Sequence, residues 1–338
     1  MAHTTDAAAA QPTLKRSRDA MKWPAAPAPQ WMAWTPQAAV LWALVYGAVR
    51  VWWAVNGAPP FGRLGTDLIV FTGWPAIGLC AAAAAVALAL RSAPWMWPLL
   101  AAGWGVCAAL SASCAPLLLD VVGGLFRGSG VQFVPAAFMS RAACFIGAIL
   151  VGAAAVAYRR RWRSACLFCG QTGVRARTAQ PPRWAWWAAY SALGGWAVRL
   201  GAQTAVGFGS LLRARGAFWA FEACFVLAGT ALPLALVHSW GRVFPRWAPL
   251  LGGRKAPRWL LLGPAFAIGG ALTVYFSVSI VAFAVATLTG TWERSATPLP
   301  LAFFWVAMPA YLVWGLGLGA AAIAYYRVTR PTCRVCGR

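Results

Sequence analysis

Eight runs of predominantly apolar residues, each about long enough to cross a lipid bilayer as a helix, follow one another along the chain. They lie near residues 37–56, 67–90, 97–119, 134–157, 184–207, 217–238, 259–288 and 300–326. Hydrophobic residues make up 61% of the 338 residues and charged residues only 10%, which is too apolar for a water-soluble domain. Because a helix satisfies its own backbone hydrogen bonds in lipid, the sequence predicts an all-α membrane protein with eight transmembrane helices.

The net charge of +23 is spread unevenly between the two sides of this predicted membrane protein. Most Lys and Arg residues precede the first helix, follow the second, fourth and sixth helices, or close the chain. The positive-inside rule places that side, with both termini, in the cytoplasm, so the charge indicates membrane topology and not nucleic-acid binding. Abundant Arg, Ala, Gly and Pro are typical of a high-GC bacterial genome, and therefore a bacterial inner membrane is predicted.

The chain divides into two parts of similar organisation. We predict a disordered cytoplasmic tail (1–35), a first four-helix repeat (36–157), a basic cytoplasmic linker (158–183), a second four-helix repeat (184–326) and a cytoplasmic tail (327–338). The segment Gly-Ala-Val-Arg at 47–50 resembles Gly-Trp-Ala-Val-Arg at 195–199. An even number of helices in each part makes the two repeats parallel, so equivalent segments lie on the same side of the membrane.

A Cys-x-x-Cys-Gly segment follows the last helix of each repeat, at 166–170 and at 333–337. Two thiolates at this spacing can hold one side of a tetrahedral ion, while the Gly permits a tight turn behind them. The sequence therefore predicts one structural zinc site with the four ligands Cys166, Cys169, Cys333 and Cys336. Two alternatives stay open: a thiol redox pair, or two unrelated reduced pairs that bind nothing.

A second constellation consists of charged residues at related places in the two repeats. Arg50 and Arg199 lie in the outer third of the first and fifth helices, while Asp67 and Glu222 open the helices that follow. Because charges at this depth are costly unless paired or hydrated, they are candidate intramembrane charge pairs. The alternative is that the arginines extend to the outer interface, and Arg141 is expected to do the same.

The loop between the sixth and seventh helices is basic, aromatic and rich in Pro. Its charged residues are Arg242, Arg246, Arg254, Lys255 and Arg258, and we predict that they lie against anionic lipid headgroups. With its Trp-Gly-Arg start at 240–242 and its Pro-Arg-Trp end at 257–259, the loop resembles that of uncharacterised multi-pass membrane proteins of high-GC bacteria. The resemblance covers this loop and its flanking helix starts, and it implies no activity.

The chain lacks the sequence motifs of phosphate-binding loops, zinc proteases and dinucleotide-binding domains. We therefore predict a non-enzymatic membrane protein, of transport or permease type, with the zinc site joining its two repeats. A membrane scaffold or sensor without transport is one alternative, and a membrane thiol-disulfide oxidoreductase is another. The protein or small-molecule partner is not indicated by any motif.

Overall fold

The computed structural model describes residues 29–61, 71–94, 96–126, 133–163, 165–170, 180–207, 217–243, 252–291, 299–333 and 335–336. Within these ranges the chain is helical, and the elements run in the order α1 (Gln30–Asn56), α2 (Trp74–Ser92), α3 (Met96–Ser113), α4 (Leu117–Leu125), α5 (Pro135–Trp162), α6 (Arg183–Val206), α7 (Ala217–Gly229), α8 (Ala231–Val237), α9 (Arg258–Leu288) and α10 (Leu301–Thr329). A short 3-10 turn, Ser239–Gly241, follows α8. The prediction of an all-helical chain is confirmed for this part of the sequence.

Seven segments of the described chain are helical, long and apolar enough to cross a membrane. They are Gln30–Asn56, Trp74–Ser92, Met96–Leu125, Pro135–Trp162, Ala220–Val237, Arg258–Leu288 and Leu301–Thr329. This composition is that of an integral membrane protein with multiple crossings. Helix α6, which covers the fifth predicted run, is 24 residues long but is not among the seven.

Two of the predicted membrane segments are broken within the bilayer-length run. The run predicted at 97–119 divides into α3 and α4, which are separated by a turn at 114–116. Pro116 lacks an N–H and its ring crowds the preceding turn, and α3 ends ahead of it at Ser113, whereas α1, α9 and α10 continue through Pro36, Pro264 and Pro309. The run predicted at 217–238 divides into α7 and α8 at Thr230, just ahead of Pro233. At the first break the turn is closed by tighter bonds, as from the N–H of Leu117 to the carbonyl oxygen of Cys114, and at the second the N–H of Thr230 still donates to the carbonyl oxygen of Val226.

The helices form two groups with separate apolar cores, which we call the first half (α1–α5) and the second half (α6–α10). In the first half, α5 packs against α1 and α3, and in the second half α10 packs against α6 and α9. The buried apolar clusters follow the same division, since the largest one is built from α6, α7, α8, α9 and α10 alone. Contacts of α3 and α4 with α9 join the two groups.

Small residues let α6 and α10 approach closely in antiparallel orientation. A Cβ added at Gly195 would lie 2.6 Å from the backbone oxygen of Ala310, and one added at Gly317 would lie 2.5 Å from that of Ala188. Helices in membranes associate by such close backbone packing, because lipid offers no hydrophobic driving force between them. The pairing places the start of α6 beside the end of α10.

Candidate metal centre

The four cysteines of the two Cys-x-x-Cys-Gly segments, 167 positions apart, lie together in one cluster. Cys166 Sγ is 4.0 Å from Cys333 Sγ, and Cys169 Sγ is 3.5 Å from Cys336 Sγ. All four sulfur atoms lie within 4.8 Å of one another, and none is in a disulfide. Each segment thus contributes its first cysteine to one close contact and its second cysteine to the other. We call these four residues the thiol cluster.

The spacing of the sulfur atoms suits a tetrahedral metal ion. Zinc–sulfur bonds of about 2.3 Å at tetrahedral angles separate neighbouring sulfur atoms by about 3.8 Å. The two closest distances in the thiol cluster lie on either side of this value. Four sulfur ligands exclude magnesium and calcium, which prefer oxygen, and leave zinc or iron as the matching ions.

The local backbone of the first Cys-x-x-Cys-Gly segment is a closed turn. The N–H of Gly170 donates to the carbonyl oxygen of Cys166 at 2.6 Å, and Gly170 has φ of +72°. Residues with a Cβ are strained at this backbone angle, so the glycine permits the turn that brings Cys166 and Cys169 to the same side. Cys169 is buried and Cys166 is partly exposed, and the second segment has the same order, with Cys336 buried and Cys333 partly exposed.

Two arginines hold the first segment in place. Arg160, in the last turns of α5, donates to the carbonyl oxygen of Leu167 at 2.9 Å, and its guanidinium lies 5.3 Å from the ring centre of Trp31 in α1. Arg330, which follows α10, donates to the carbonyl oxygen of Cys169. A metal ion with four thiolates carries net negative charge, and these guanidinium groups lie where they offset it. Arg330 also links the end of one half to the segment of the other.

The electrostatic surroundings of Cys333 favour its thiolate. Burial acts to raise the pKa of Cys333, but hydrogen bonds from the backbone N–H groups of Cys336 and Val335 and contacts with the thiols of Cys336 and Cys166 outweigh it. The resulting pKa is lowered to about 7. Because thiolates and not thiols bind metal ions, this environment is suited to a ligand.

Two buried tyrosines orient the helices that carry the cysteines. Tyr158 and Tyr325 each lie eight residues before the first cysteine of their segment. The Tyr158 hydroxyl donates to the carbonyl oxygen of Ala93, between α2 and α3, at 2.8 Å. The Tyr325 hydroxyl donates to the carbonyl oxygen of Gly241, between α8 and α9, at 3.1 Å. In each half, therefore, the cysteine-bearing helix is hydrogen-bonded to a segment that connects two other helices of the same half.

The predicted intramembrane charges take different environments in the two halves. Arg50 is buried, donates to the carbonyl oxygen of Phe71 at 3.0 Å and lies over the Tyr46 ring. Arg199 donates through Nε to the hydroxyl of Tyr311 at 2.6 Å. Asp67 lies outside the described residues. The pairing of these arginines with Asp67 and Glu222 stays a prediction.

A buried ion pair lies in the first half, and sequence reasoning missed it. Arg141 Nη1 of α5 is 2.5 Å from Asp120 Oδ1 of α4, and both side chains are almost fully buried. The expectation that Arg141 extends to the interface is therefore wrong, because the α3–α4 break brings a carboxylate to it. Asp120 directly follows the predicted run 97–119 and is not among the predicted charge pairs. An acidic residue between two apolar stretches, in a chain with six acids, was the available signal.

The described residues of the basic loop close it at its base. Val243 and Lys255 form an antiparallel bridge, and the N–H of Ala256 donates to the carbonyl oxygen of Arg242 at 2.9 Å. Arg254 and Lys255 are exposed. Arg258 lies over the ring of Trp259, while Arg246 is outside the described residues. Contact of this loop with lipid stays a prediction.

Comparison with protein-family models, with curated proteins and with solved structures gave no match to this chain. The candidate site is consequently defined by its own geometry: four convergent cysteine sulfurs at the ends of α5 and α10 of a helical membrane protein.

Proposed function

We propose that this chain is an integral membrane protein whose two helical halves are held together by one structural zinc ion bound to Cys166, Cys169, Cys333 and Cys336. The observation that carries the proposal is the convergence of all four sulfur atoms within 4.8 Å, although the two segments are 167 positions apart. Each half has its own apolar core. A metal ion bound by the last residues of both halves would therefore hold the two cores together. Zinc adds such a bond without redox chemistry.

The proposed architecture is a pair of parallel repeats with eight crossings. Helix α6 is the eighth, because its 24 residues extend about 36 Å, enough to span the hydrocarbon layer. The matching hydrogen bonds of Tyr158 and Tyr325 support the equivalence of the two halves. Arg160 and Arg327 support it too, because they are 167 positions apart, as are Cys166 and Cys333. Parallel repetition accounts for both thiol segments lying at one end.

We place that end in the cytoplasm of a bacterial cell, where a reducing environment keeps thiols available to metal. The basic residues that surround the thiol cluster support this orientation. They are Arg159, Arg160, Arg161, Arg163, Arg327 and Arg330. The exposed Arg254 and Lys255 of the basic loop then face anionic lipid headgroups.

A scaffold or sensor is the role that the packing favours. Gly195 and Gly317 allow the close contact of α6 with α10. In the contact of α9 with α10, a Cβ added at Gly269 would lie 3.1 Å from the backbone oxygen of Gly315. Such interfaces bring helix backbones into direct contact over small residues, which suits a fixed platform. The zinc ion contributes stability to this platform and takes no part in a reaction.

Transport is the second candidate, and one observation favours it. The buried Asp120–Arg141 pair lies beside the α3–α4 break, and Tyr275 of α9, in the other half, lies within electrostatic range of Arg141. Charged groups at broken helices between two halves form substrate sites in many transporters. Cys114, at that break, reports on water access, since a thiol reacts with maleimide only where it can ionise in water. Labelling of Cys114 in the bilayer supports transport, and its protection supports a scaffold.

The test of the zinc site is the metal content of the detergent-purified protein, measured by elemental mass spectrometry. We expect one zinc per chain, absent from a variant that combines Cys166→Ser with Cys333→Ser. Cys224→Ser is the matched control, because Cys224 is exposed on α7 outside the thiol cluster, and it should retain the metal.

Two outcomes contradict the proposed zinc site. Iron at one per chain, with the visible absorption of an iron–thiolate centre, keeps the joined halves but rejects zinc as the ion. A metal-free protein whose four thiols cycle between reduced and disulfide forms rejects the structural site and supports the oxidoreductase instead.

A further inference from the structure

The second half holds a cluster of hydrogen-bond donors that lack acceptors. Arg199 Nε donates to the Tyr311 hydroxyl, so that oxygen is the acceptor and its own proton is left to be donated. In the described part of the chain neither this proton nor the remaining guanidinium N–H groups of Arg199 have an acceptor. The guanidinium is flanked by rings instead, 4.8 Å from the centre of Phe225 and 5.5 Å from that of Tyr311.

Two indole groups add to the unsatisfied donors. Trp314 is 1% exposed, and its ring centre is 5.0 Å from Phe225 and 6.0 Å from Tyr311. Its Nε1, like that of Trp196, three residues before Arg199 in α6, is buried without an acceptor among the described residues. A buried donor without a partner costs free energy of the order of 1–3 kcal/mol by its desolvation. Several such donors together indicate that an acceptor completes the cluster.

The corresponding region of the first half supplies oxygen acceptors to most of its donors, although Arg50 Nε is buried without one among the described residues. Arg50 donates to the carbonyl oxygen of Phe71, and the Tyr46 hydroxyl is 2.8 Å from the Ser140 hydroxyl. The two arginines occupy the same motif, Ala-Val-Arg, at 48–50 and 197–199. The difference is therefore in what surrounds each arginine. In the second half the protein provides donors and rings where the first half provides oxygen atoms.

We propose that Arg199, Tyr311 and Trp314 bind an oxyanion, either the phosphate of a lipid headgroup or a small carboxylate or phosphate from solution. A charged oxygen ligand accepts hydrogen bonds from a guanidinium, a phenol and an indole at once. Tyr311 lies about 27 Å along α10 from Thr329, so the site is toward the membrane face opposite the thiol cluster. Arg199 is partly exposed, which leaves it open to a ligand at that face.

The carboxylate of Glu222, in α7, should weaken the binding of an oxyanion at this site. It lies one turn before Phe225 and within electrostatic range of the Tyr311 hydroxyl. The negative charge of Glu222 repels an incoming anion and competes with it for Arg199. Replacing Glu222 by Gln removes the charge and keeps the shape, so the site should bind an oxyanion more tightly.

The experiment is a thermal-stability titration of the detergent-purified full chain at constant ionic strength, with sodium phosphate, sodium acetate or dioctanoyl phosphatidylglycerol. A ligand that binds the folded state raises the melting temperature in a saturable way. Saturation by phosphate or acetate identifies a solution anion. Saturation by the lipid and not by dioctanoylglycerol, which has no phosphate, identifies a headgroup. Arg199→Gln should raise the half-saturating concentration at least about tenfold.

Four variants make the result specific to this site. Tyr311→Phe removes one O–H and should weaken binding less than Arg199→Gln, and it keeps the proposal testable if Arg199→Gln does not fold. Glu222→Gln should strengthen binding, whereas Arg50→Gln should leave it unchanged. The absence of a saturable rise with all three ligands overturns the proposal, and so does an equal rise in Arg199→Gln and wild type. Metal content is measured in each sample, because the zinc site stands or fails separately.

Discussion

The two halves of the molecule share the end that carries the cysteines and differ at the opposite end. Toward the thiol cluster, Gly152, Tyr158, Arg160, Arg163, Cys166 and Cys169 are each matched by the same residue 167 positions later. Away from it, the first half contains the Asp120–Arg141 pair, and the second half contains the donors around Arg199. In the proposed zinc site the shared end serves assembly of the two halves, and the divergent ends are where separate roles can reside.

This contrast also separates two kinds of stabilisation. The first half provides oxygen acceptors for its two buried arginines, Arg50 and Arg141, although Arg50 Nε has none among the described residues. The second half is held by close backbone contacts of α6 and α9 with α10, and the Nε1 atoms of Trp196 and Trp314 are buried without an acceptor among the described residues. The same type of substitution should therefore have different consequences in the two halves.

The largest effect is expected from the thiol cluster, which acts on both halves. Combining Cys169→Ser with Cys336→Ser should remove the metal and lower the melting temperature by about 10 °C or more, because the energy of metal binding is folding energy. With only the contacts of α3 and α4 with α9 left between the separate cores, unfolding should change from one step to two, as measured by calorimetry. A variant that loses metal yet melts in one step at the wild-type temperature refutes the role of the cluster in assembly.

The next effect is confined to the first half. Asp120→Asn leaves Arg141 as a buried charge without its carboxylate, and should destabilise the protein by about 3–5 kcal/mol in chemical denaturation. Replacing both residues, Asp120→Leu with Arg141→Met, should cost less than the single change, because no buried charge is left. Glu222→Gln is the control in the second half, with an expected change within about 0.5 kcal/mol. Equal losses of stability in Asp120→Asn and Glu222→Gln would contradict the difference proposed between the two halves.

Close packing gives a third test, which is centred on the second half. Gly195→Ala should destabilise by about 1–3 kcal/mol, because the added methyl group meets the backbone of α10. Gly194→Ala is the matched control, since a Cβ there has no atom within 4 Å. Gly147→Ala in the first half meets the indole of Trp42, which donates to the carbonyl oxygen of Ala143; because the obstacle is a side chain and not helix backbone, this change should cost less than Gly195→Ala. The reverse order in thermal unfolding contradicts the assignment.

The sequence was sufficient to predict the helices and the four candidate ligands, because each rests on a local pattern. Bilayer-length apolar runs correspond to α1, α5, α9 and α10, and the Cys-x-x-Cys-Gly spacing identifies the thiol cluster residues. The approach of the two segments, by contrast, depends on how α5 and α10 lie relative to each other. A spacing within one segment carries no information on that distance.

The features that the sequence did not predict depend on contacts between distant residues. The Asp120–Arg141 pair requires both the break at Pro116 and the packing of α4 on α5. The donor cluster around Arg199 requires Tyr311 and Trp314, which lie more than a hundred positions away. Each of these residues is ordinary in its own apolar helix, so its partner becomes apparent only when the helices are packed.

The smallest effect tests whether the shared end is in fact equivalent in the two halves. Tyr158→Phe and Tyr325→Phe each remove one buried hydroxyl and its hydrogen bond to a connection of the same half. Each should cost about 1 kcal/mol, a typical value for a single hydrogen bond, and the two losses should agree within about 0.5 kcal/mol in denaturant unfolding. Since the two carbonyl acceptors, of Ala93 and Gly241, remain in place, their lost partner contributes equally to both values. Unequal losses of unfolding free energy would show that the two hydrogen bonds stabilise their helices to different degrees, although Tyr158 and Tyr325 lie at equivalent positions near the ends of α5 and α10.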